Sequence, residues 1–185
     1  MTTLRPFTCE DMLKFNNVNL DTLTETYGLN FYMQYLARWP EYFQVAEAPN
    51  GEIMGYIMGK AEGHNTHWHG HVTALTVSPC YRRLGVAALL MNWLEDVSEK
   101  KHAYFVDLFV RVSNKVAISM YQALGYIVYR TVLDYYSGNP DEDAYDNILV
   151  ISLNYFSDMR KALSRDKMKE SVVPLHHPVR PEDVE

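Results

Sequence analysis

Between residues 71 and 136 the chain passes through five segments whose hydrophobic period alternates, and this alternation restricts the fold more than any other feature. HVTALTVS (71–78) has strand character, VAALLMNWLEDVSEKK (86–101) helical spacing, and AYFVDLFVR (103–111) strand character again. NKVAISMYQAL (114–124) is helical and ends at Gly125, a residue suited to the left-handed position after a helix, and YIVYRTVLDYY (126–136) is a strand. Upstream, YFQVAEA and EIMGYIMGKAE flank Pro-Asn-Gly, and Asn50-Gly51 is a strong hairpin signal. TTLRPFT adds a strand at the start. A meander followed by alternating strands and helices predicts an α/β fold, one mixed sheet flanked by helices.

Two helical stretches precede the hairpin. Thr8 and Asp11 form a T-x-x-D capping pattern that predicts a helix through Met12, Leu13 and Phe15. FYMQYLARW predicts a second helix, stopped by Pro40. After residue 136 the pattern loosens: AYDNILVISLNYF is strongly β-prone, and the polar stretch from Met159 onward holds three prolines and reads as mobile or dependent on a partner. The expected division is a catalytic domain over 1–158 and a polar tail over 159–185. At 185 residues the chain is long enough for one domain with a real core.

The junction YRRLG, between strand 71–78 and the following helix, concentrates chemistry. A helix N-terminus presents unpaired N–H groups and partial positive charge. Gly85 lets a ligand approach the backbone, Arg82 and Arg83 add forked donors, and Ala87 and Ala88 keep the first turn small. A pyrophosphate fits that description, as does the plainer reading of two exposed arginines before a helix. The Walker pattern is absent, and with one glycine this is not a dinucleotide fingerprint. About thirty residues on, Asn114 sits where it can cap a helix or reach a ligand, and Tyr121 lies two turns further on the same face, placed to give a proton to a leaving group.

The pair R-x-x-G-x-A at 82–87 and N-x-x-A-x-x-x-Y-x-x-x-G-Y at 114–126 resembles the GNAT superfamily of acetyl-CoA-dependent N-acetyltransferases. LDTLTETYGLNFYMQYLARWPEYF, MGYIMGKAEG, WHGHVTAL, FVDLFVRVSN and VRPEDVE further resemble its NatB catalytic-subunit branch, over nearly the whole chain except residues around 147–158. The resemblance implies the GNAT fold, with a mostly antiparallel central sheet, and acetyl-CoA as co-substrate without a metal. Arg82, Arg83, Gly85, Val86, Ala87 and Ala88 match the pyrophosphate loop, and Leu75 and Val77 match the strand beside the pantetheine and acetyl group. Asn114 matches the cofactor and peptide end of the site, and Tyr121 the donor to the departing thiolate. Glu25 and Tyr27 match the substrate-binding linker, and His71, Thr73, Ala74, Tyr135 and Tyr136 the surroundings of the peptide N-terminus. The implied partners are a large helical-repeat auxiliary subunit and nascent polypeptide N-termini, with the ribosome engaged indirectly. The implied substrates begin Met-Asp, Met-Glu, Met-Asn or Met-Gln.

The chemistry needs only a weak base. An α-amine with a pKa near 8 is roughly a tenth neutral at pH 7, whereas a lysine near 10.4 is almost wholly charged. Glu25 and His71 are the candidate bases, and the sequence does not choose between them. His71, Thr73 and tyrosine hydroxyls are expected to donate hydrogen bonds to the second residue of the peptide. Two other readings stay open: a GNAT enzyme acting on lysine or a small amine, and an inactive chain that binds only cofactor or partner.

The second alternative rests on one departure. NILVISLNYFSD stands between AYD and MRKAL, which run together in the family, so AYDNILVI and SDMRKAL compete for the last strand, with the stronger β propensity in Ile148, Val150 and Ile151. Other features narrow the class. His67, His69 and His71 alternate and would share a strand face, but no carboxylate or thiolate at ligand spacing completes a metal set. A net charge of −6 argues against direct nucleic-acid binding. Two cysteines, Cys9 and Cys80, give no disulfide framework, and no apolar run approaches the ~20 residues of a membrane span. A soluble protein of the cytoplasm, and of the nucleus too, is expected. Fourteen tyrosines suggest a pocket with polar edges, since each buried hydroxyl needs a partner.

Overall fold

The computed structural model describes residues 2–20, 24–133 and 155–180. The chain divides into two units, Met1–Leu108 with Ala162–Ser171, and Phe109–Lys161 with Val172–Glu185.

In the first unit the chain opens with β1 (Thr3–Pro6) and a 3-10 turn, Cys9–Leu13. The capping pattern at Thr8 forms, with the Asp11 carboxylate accepting from the Thr8 backbone N–H at 2.8 Å, but it opens that single turn and not a helix through Phe15. Five residues repay too little of the nucleation cost for an α-helix, and Asp11 is held elsewhere by Arg5 at 2.7 Å. A separate short helix, α1 (Asn16–Asn19), follows, and then α2 (Leu29–Arg38), after which Pro40 starts a second 3-10 turn. β2 (Phe43–Glu47) and β3 (Ile53–Glu62) form the hairpin signalled by Asn50-Gly51, with Val45 opposite Tyr56. β4 (His69–Val77) adds antiparallel to β3. α3 (Val86–Lys100) then carries the chain over the sheet, so that β5 (Phe105–Arg111) returns parallel to β4. Within this unit the order β1-β2-β3-β4-β5 is mixed and mostly antiparallel.

Much of the tyrosine content builds the core of this unit. Tyr32, Tyr42 and Tyr56 are fully buried, and Phe7 stacks on Phe43 at 3.9 Å. Tyr32 and Tyr56 both donate to Asn19 Oδ1, at 3.0 and 2.7 Å, and Tyr42 meets Ser98 at 3.3 Å. Each hydroxyl thus has the partner that burial demands. On the α3 side of the sheet, Leu90, Met91 and Leu94 are completely buried. Gly70 lets the helix approach, because a Cβ there would fall 2.1 Å from Ser98 Oγ.

In the second unit α4 (Lys115–Ala123) is capped by Asn114, whose Oδ1 accepts from the Ala117 N–H at 3.1 Å. β6 (Ile127–Val132) pairs antiparallel with β7 (Phe156–Ala162), Ile127 opposite Arg160 and Val132 opposite Phe156. Of the two segments competing for the last strand, SDMRKA takes the place beside β6. The other segment, AYDNILVI at 144–151, lies outside the described residues. The 158/159 division therefore falls inside β7. The segment beyond is also held down, for Leu175 N–H donates to Tyr129 O at 2.7 Å and Val179 N–H to Thr131 O at 2.9 Å. Among the described residues no helix is long and apolar enough to cross a membrane.

Candidate active site

β4 is irregular where the site is expected. Its ladder with β3 steps from Met58↔Ala74 to Gly59↔Val72, so Thr73 is an extra residue on β4, a β-bulge. Its described ladder with β5 ends at Val72↔Leu108. Residues 74–77 are paired to β3 on one side, and the other edge has no ladder partner among the described residues. Thr73, Ala74, Leu75 and Val77 are half-buried. An unpaired edge faced by small and apolar side chains can take an extended amide-bearing chain as an added strand, which suits the pantetheine arm of coenzyme A.

The arginine junction leads from this edge into α3. Arg82 Nε donates to Val77 O at 3.1 Å, which folds the loop back on the end of β4. Arg83 and Gly85 both hold left-handed backbone, φ 65 and 79. Gly85 is the residue before α3 and has no side chain with which to cap that helix. Beyond its chain neighbours, nothing among the described residues lies within 4 Å of where a Gly85 Cβ would stand, so glycine is favoured there by its φ and the space above it is open. Arg82, Arg83 and Gly85 are exposed, Val86 is buried, and Ala87 and Ala88 are half-buried in the first turn. An uncapped fifteen-residue helix preceded by left-handed residues and two guanidinium groups is an anion cradle.

Further along β4, His71 and Asp107 are buried together, His71 Nδ1 lying 2.8 Å from Asp107 Oδ1. His69, stacked on Phe105 at 4.7 Å, directs Nε2 toward Asp107 Oδ2 at 3.5 Å and Glu62 Oε1 at 3.8 Å. His67 is not on the strand, because β4 begins at His69; His67 sits in a turn, and its carbonyl receives His69 Nδ1 at 2.6 Å. A carboxylate does join the histidines, since the β3–β4 register sets Glu62 opposite His69, and ligand-type atoms of Glu62, His69 and His71 lie within 4.8 Å of one another. Glu62 is also paired with Lys60 at 2.5 Å, and His71 hydrogen-bonds Asp107, so side chains of the cluster are already engaged with one another.

The linker before α2 is tied to the same part of the unit. Thr24 meets Thr76 hydroxyl to hydroxyl at 2.5 Å, Thr26 Oγ1 donates to Asn19 O at 3.0 Å, and the Tyr27 N–H donates to the Tyr32 hydroxyl at 3.1 Å. Tyr27 stacks on Phe31 at 4.4 Å, and Glu25 is exposed. Thr73 donates to the Tyr35 hydroxyl at 2.9 Å. The first unit thus gathers the β4 residues, the arginine loop, His71 and the Glu25–Tyr27 linker.

The second unit carries Asn114 and Tyr121. Asn114 serves as the cap of α4. Tyr121 is buried and lies edge-on to Tyr126 at 5.9 Å; burial pushes its hydroxyl well above the usual phenol range, so it stays protonated and available as an acid. Tyr135 and Tyr136 lie outside the described residues.

Residues 10–126 match the Acetyltransferase (GNAT) family. The chain belongs to the GNAT acetyltransferase family. Within it, the chain is 59% identical over 186 residues to the "N-terminal acetyltransferase B complex catalytic subunit NAA20" of Arabidopsis thaliana, with 100% of this chain and 99% of that protein covered. It is 43% identical over 196 residues to the Saccharomyces cerevisiae subunit NAT3 of the same complex, again covering 100% and 99%. The crystal structure of Chaetomium thermophilum Naa20 in complex with a bisubstrate analogue superposes with a TM-score of 0.84 at 44% identity, over 97% of each chain. At these identities the chain sits in the NatB catalytic-subunit branch of the GNAT family, and its mixed sheet flanked by helices is the GNAT fold.

Asp107 escaped the reading of the sequence. The signal was a lone carboxylate in the apolar run FVDLFV, but its partner, 36 residues away, is fixed only by the parallel β4–β5 register. Tyr35 and Thr24 were missed for the same reason, their partners Thr73 and Thr76 lying 38 and 52 residues away.

Proposed function

We propose that this chain is the catalytic subunit of a NatB-type enzyme, moving acetyl from acetyl-CoA to the α-amino group of nascent chains that begin Met-Asp, Met-Glu, Met-Asn or Met-Gln. The observation that carries the reading is the pairing of an uncapped left-handed turn at the start of α3 with the open edge of β4, which is what a pyrophosphate and its pantetheine arm require. In the proposed reaction the neutral α-amine attacks the thioester carbonyl, the tetrahedral intermediate collapses with loss of the CoA thiolate, and Tyr121 supplies that thiolate with a proton. Arg82, Arg83 and the first-turn amides of Val86, Ala87 and Ala88 hold the pyrophosphate, with Leu75 and Val77 along the arm. Asn114 serves the junction of cofactor and peptide, and Glu25, Tyr27, Thr73 and Ala74 receive the peptide, along with Tyr135 and Tyr136.

The geometry modifies one expectation. A carboxylate only accepts, so His71 Nδ1 donates to Asp107, and the neutral ring keeps a lone pair on Nε2. His71 therefore donates to the second residue of a peptide only as imidazolium; in the neutral ring its Nε2 accepts, from an amide of that residue or from the α-ammonium group.

The proposed setting is the cytoplasm, and the nucleus as well, with a large helical-repeat auxiliary subunit bringing the chain to the ribosome. The test is acetyl transfer by the full chain, co-expressed with that subunit, to peptides beginning Met-Asp, Met-Leu and Ser, and to an N-terminally blocked lysine peptide. Selective turnover of Met-Asp is expected. Preference for the blocked lysine peptide would move the assignment to a lysine or small-amine enzyme, and tight acetyl-CoA binding without turnover of any peptide would overturn catalysis by this chain.

A further inference from the structure

We infer that Asp107 is a positioning residue, one that fixes the ring orientation and tautomer of His71 so that Nε2 is the proton acceptor for the incoming ammonium group. The inference rests on the acetyltransferase reading above.

Asp107 is 4% exposed and His71 8%, so water competes little for either group. Their contact, Nδ1 to Oδ1 at 2.8 Å, has the length of a charge-assisted hydrogen bond. The second oxygen of the same carboxylate faces His69 Nε2 at 3.5 Å. His69 is itself fixed, because a backbone carbonyl only accepts, so the 2.6 Å contact with His67 O places a proton on His69 Nδ1. Its ring is also stacked flat on Phe105, interplanar angle 4°. Asp107 thus has one imidazole on each oxygen, and Glu62, paired with Lys60, closes the far side. With its proton on Nδ1, His69 offers Asp107 an N–H on Nε2 only as imidazolium, so the hydrogen bond that orients the neutral pair is the one to His71, and the carboxylate keeps the His71 proton on Nδ1. This is how a carboxylate holds a catalytic imidazole in acyl transfer generally: it orients the ring and selects the tautomer without taking the proton itself.

The neighbouring backbone ties His71 to the reacting end of β4. His71 lies two residues before the bulge at Thr73, where the ladder to β5 has just ended. In the step assigned to it, the ammonium gives one proton to His71 Nε2 and the resulting neutral amine adds to the thioester carbonyl; as the tetrahedral intermediate then breaks its C–S bond, the nitrogen gives up its second proton, which balances the one Tyr121 gives to the departing sulfur.

The experiment has two arms on the full chain, each using whichever amine the wild-type protein acetylates best, so that a wrong peptide assignment does not decide the result. In the first, Asp107→Asn, His71→Ala and the double variant are compared in steady-state kinetics. Asp107→Asn is expected to lower kcat roughly tenfold to a hundredfold, with KM for acetyl-CoA and for the amine within about threefold of wild type. In the His71→Ala background the same change is expected to add less than about twofold. An Asp107→Asn kcat within twofold of wild type, or a loss just as large without His71, would overturn the inference. The second arm needs no variant: long-range proton–nitrogen NMR of the wild-type protein at the pH of turnover reads which ring nitrogens of His71 carry a proton. A proton on Nδ1 alone is expected. A proton on Nε2, alone or together with Nδ1, refutes the assignment, and this arm decides the matter if Asp107→Asn does not fold.

Discussion

Replacing Gly85 by alanine separates backbone strain from cofactor binding, because the structure gives each a different size. Gly85 holds φ 79, ψ 4, a conformation that costs an L-residue about 1–2 kcal/mol. Beyond its chain neighbours, nothing among the described residues lies within 4 Å of the new methyl, so no packing cost is added to the backbone one. The stiffer unfolded chain of the alanine variant offsets part of that strain, by about 0.4–1 kcal/mol. The expected loss of stability is about 1 kcal/mol, which in a chain of this size lowers Tm by about 2–4 °C. Binding should suffer more. A methyl at the mouth of the anion cradle holds phosphate oxygens away from the first-turn amides, and each charge-assisted hydrogen bond lost costs about 1.5–3 kcal/mol. KM or Kd for acetyl-CoA is therefore expected to rise roughly ten- to a hundredfold, with the KM for peptide almost unchanged. Scanning calorimetry gives the first quantity, and calorimetric titration with acetyl-CoA beside steady-state kinetics gives the second. Gly28→Ala is the control, having φ −66 and equally open space. If Gly85→Ala lowers Tm as expected but leaves acetyl-CoA affinity within about threefold, the phosphates do not sit on the start of α3, and the site reasoning fails at its first step.

Tyr121→Phe removes a hydroxyl held protonated by burial while keeping the ring against Tyr126, so kcat is expected to fall at least about tenfold with Tm and acetyl-CoA affinity nearly unchanged; an unaltered kcat would remove Tyr121 from the proton-donor role. For Asp11, burial acts to raise the carboxyl pKa, but the hydrogen bonds from Arg5 and Thr8 prevail and hold it below the usual range. A lowered native pKa means the unfolded chain binds the proton more tightly, so this stabilisation is present above the unfolded value near 4 and fades as pH falls through the native one. Asp11→Asn is expected to lower Tm at pH 6 more than at pH 3, and a parallel shift at both pH values would refute the linkage.

The predicted elements that survived are those fixed by neighbours in sequence. The hairpin at Asn50-Gly51, the run of α3 and the end of α4 at Gly125 each depend on residues within a turn or two, and each stands where the pattern placed it. The arginine loop was legible for the same reason: a strand, a glycine and a helix in succession define a helix N-terminus. Where the reading failed, distance or length decided. The capping pattern at Thr8 gave one turn because five residues cannot sustain a helix, and the alternating histidines lost His67 because the strand begins two residues later. Much of the tyrosine content, taken as the edge of a pocket, became core because Asn19 Oδ1 satisfies two hydroxyls at once. The cluster of Glu62, His69, His71 and Asp107 depends on two inter-strand registers at once, and no local pattern encodes those.

The last strand shows a register overriding propensity. Residues 148–151 are better strand formers than SDMRKA, yet β-propensity differences span only about 1 kcal/mol. Against that stands Asp158, completely buried in β7, with Arg130 Nε at 2.8 Å and Arg160 at 3.2 Å. Leaving either arginine buried without its carboxylate costs roughly 3–5 kcal/mol, enough to choose the segment that brings an aspartate to this position. Asp158→Asn is therefore expected to lower the free energy of unfolding by about 3 kcal/mol, measured in denaturant. The stretch Asn147–Asp158 ends in the residue type that precedes it, Asp146. Deleting residues 147–158 joins Asp146 to Met159, so an aspartate again stands one residue before the methionine, and the shortened chain is expected to keep the arginine cluster satisfied and its stability within about 1 kcal/mol. Adding Asp146→Asn to the shortened chain should then reproduce the loss seen for Asp158→Asn in the full one. If the shortened chain is as unstable as Asp158→Asn, or if Asp146→Asn does nothing in it, the buried carboxylate does not set the register of β7, and propensity must be outweighed by something else.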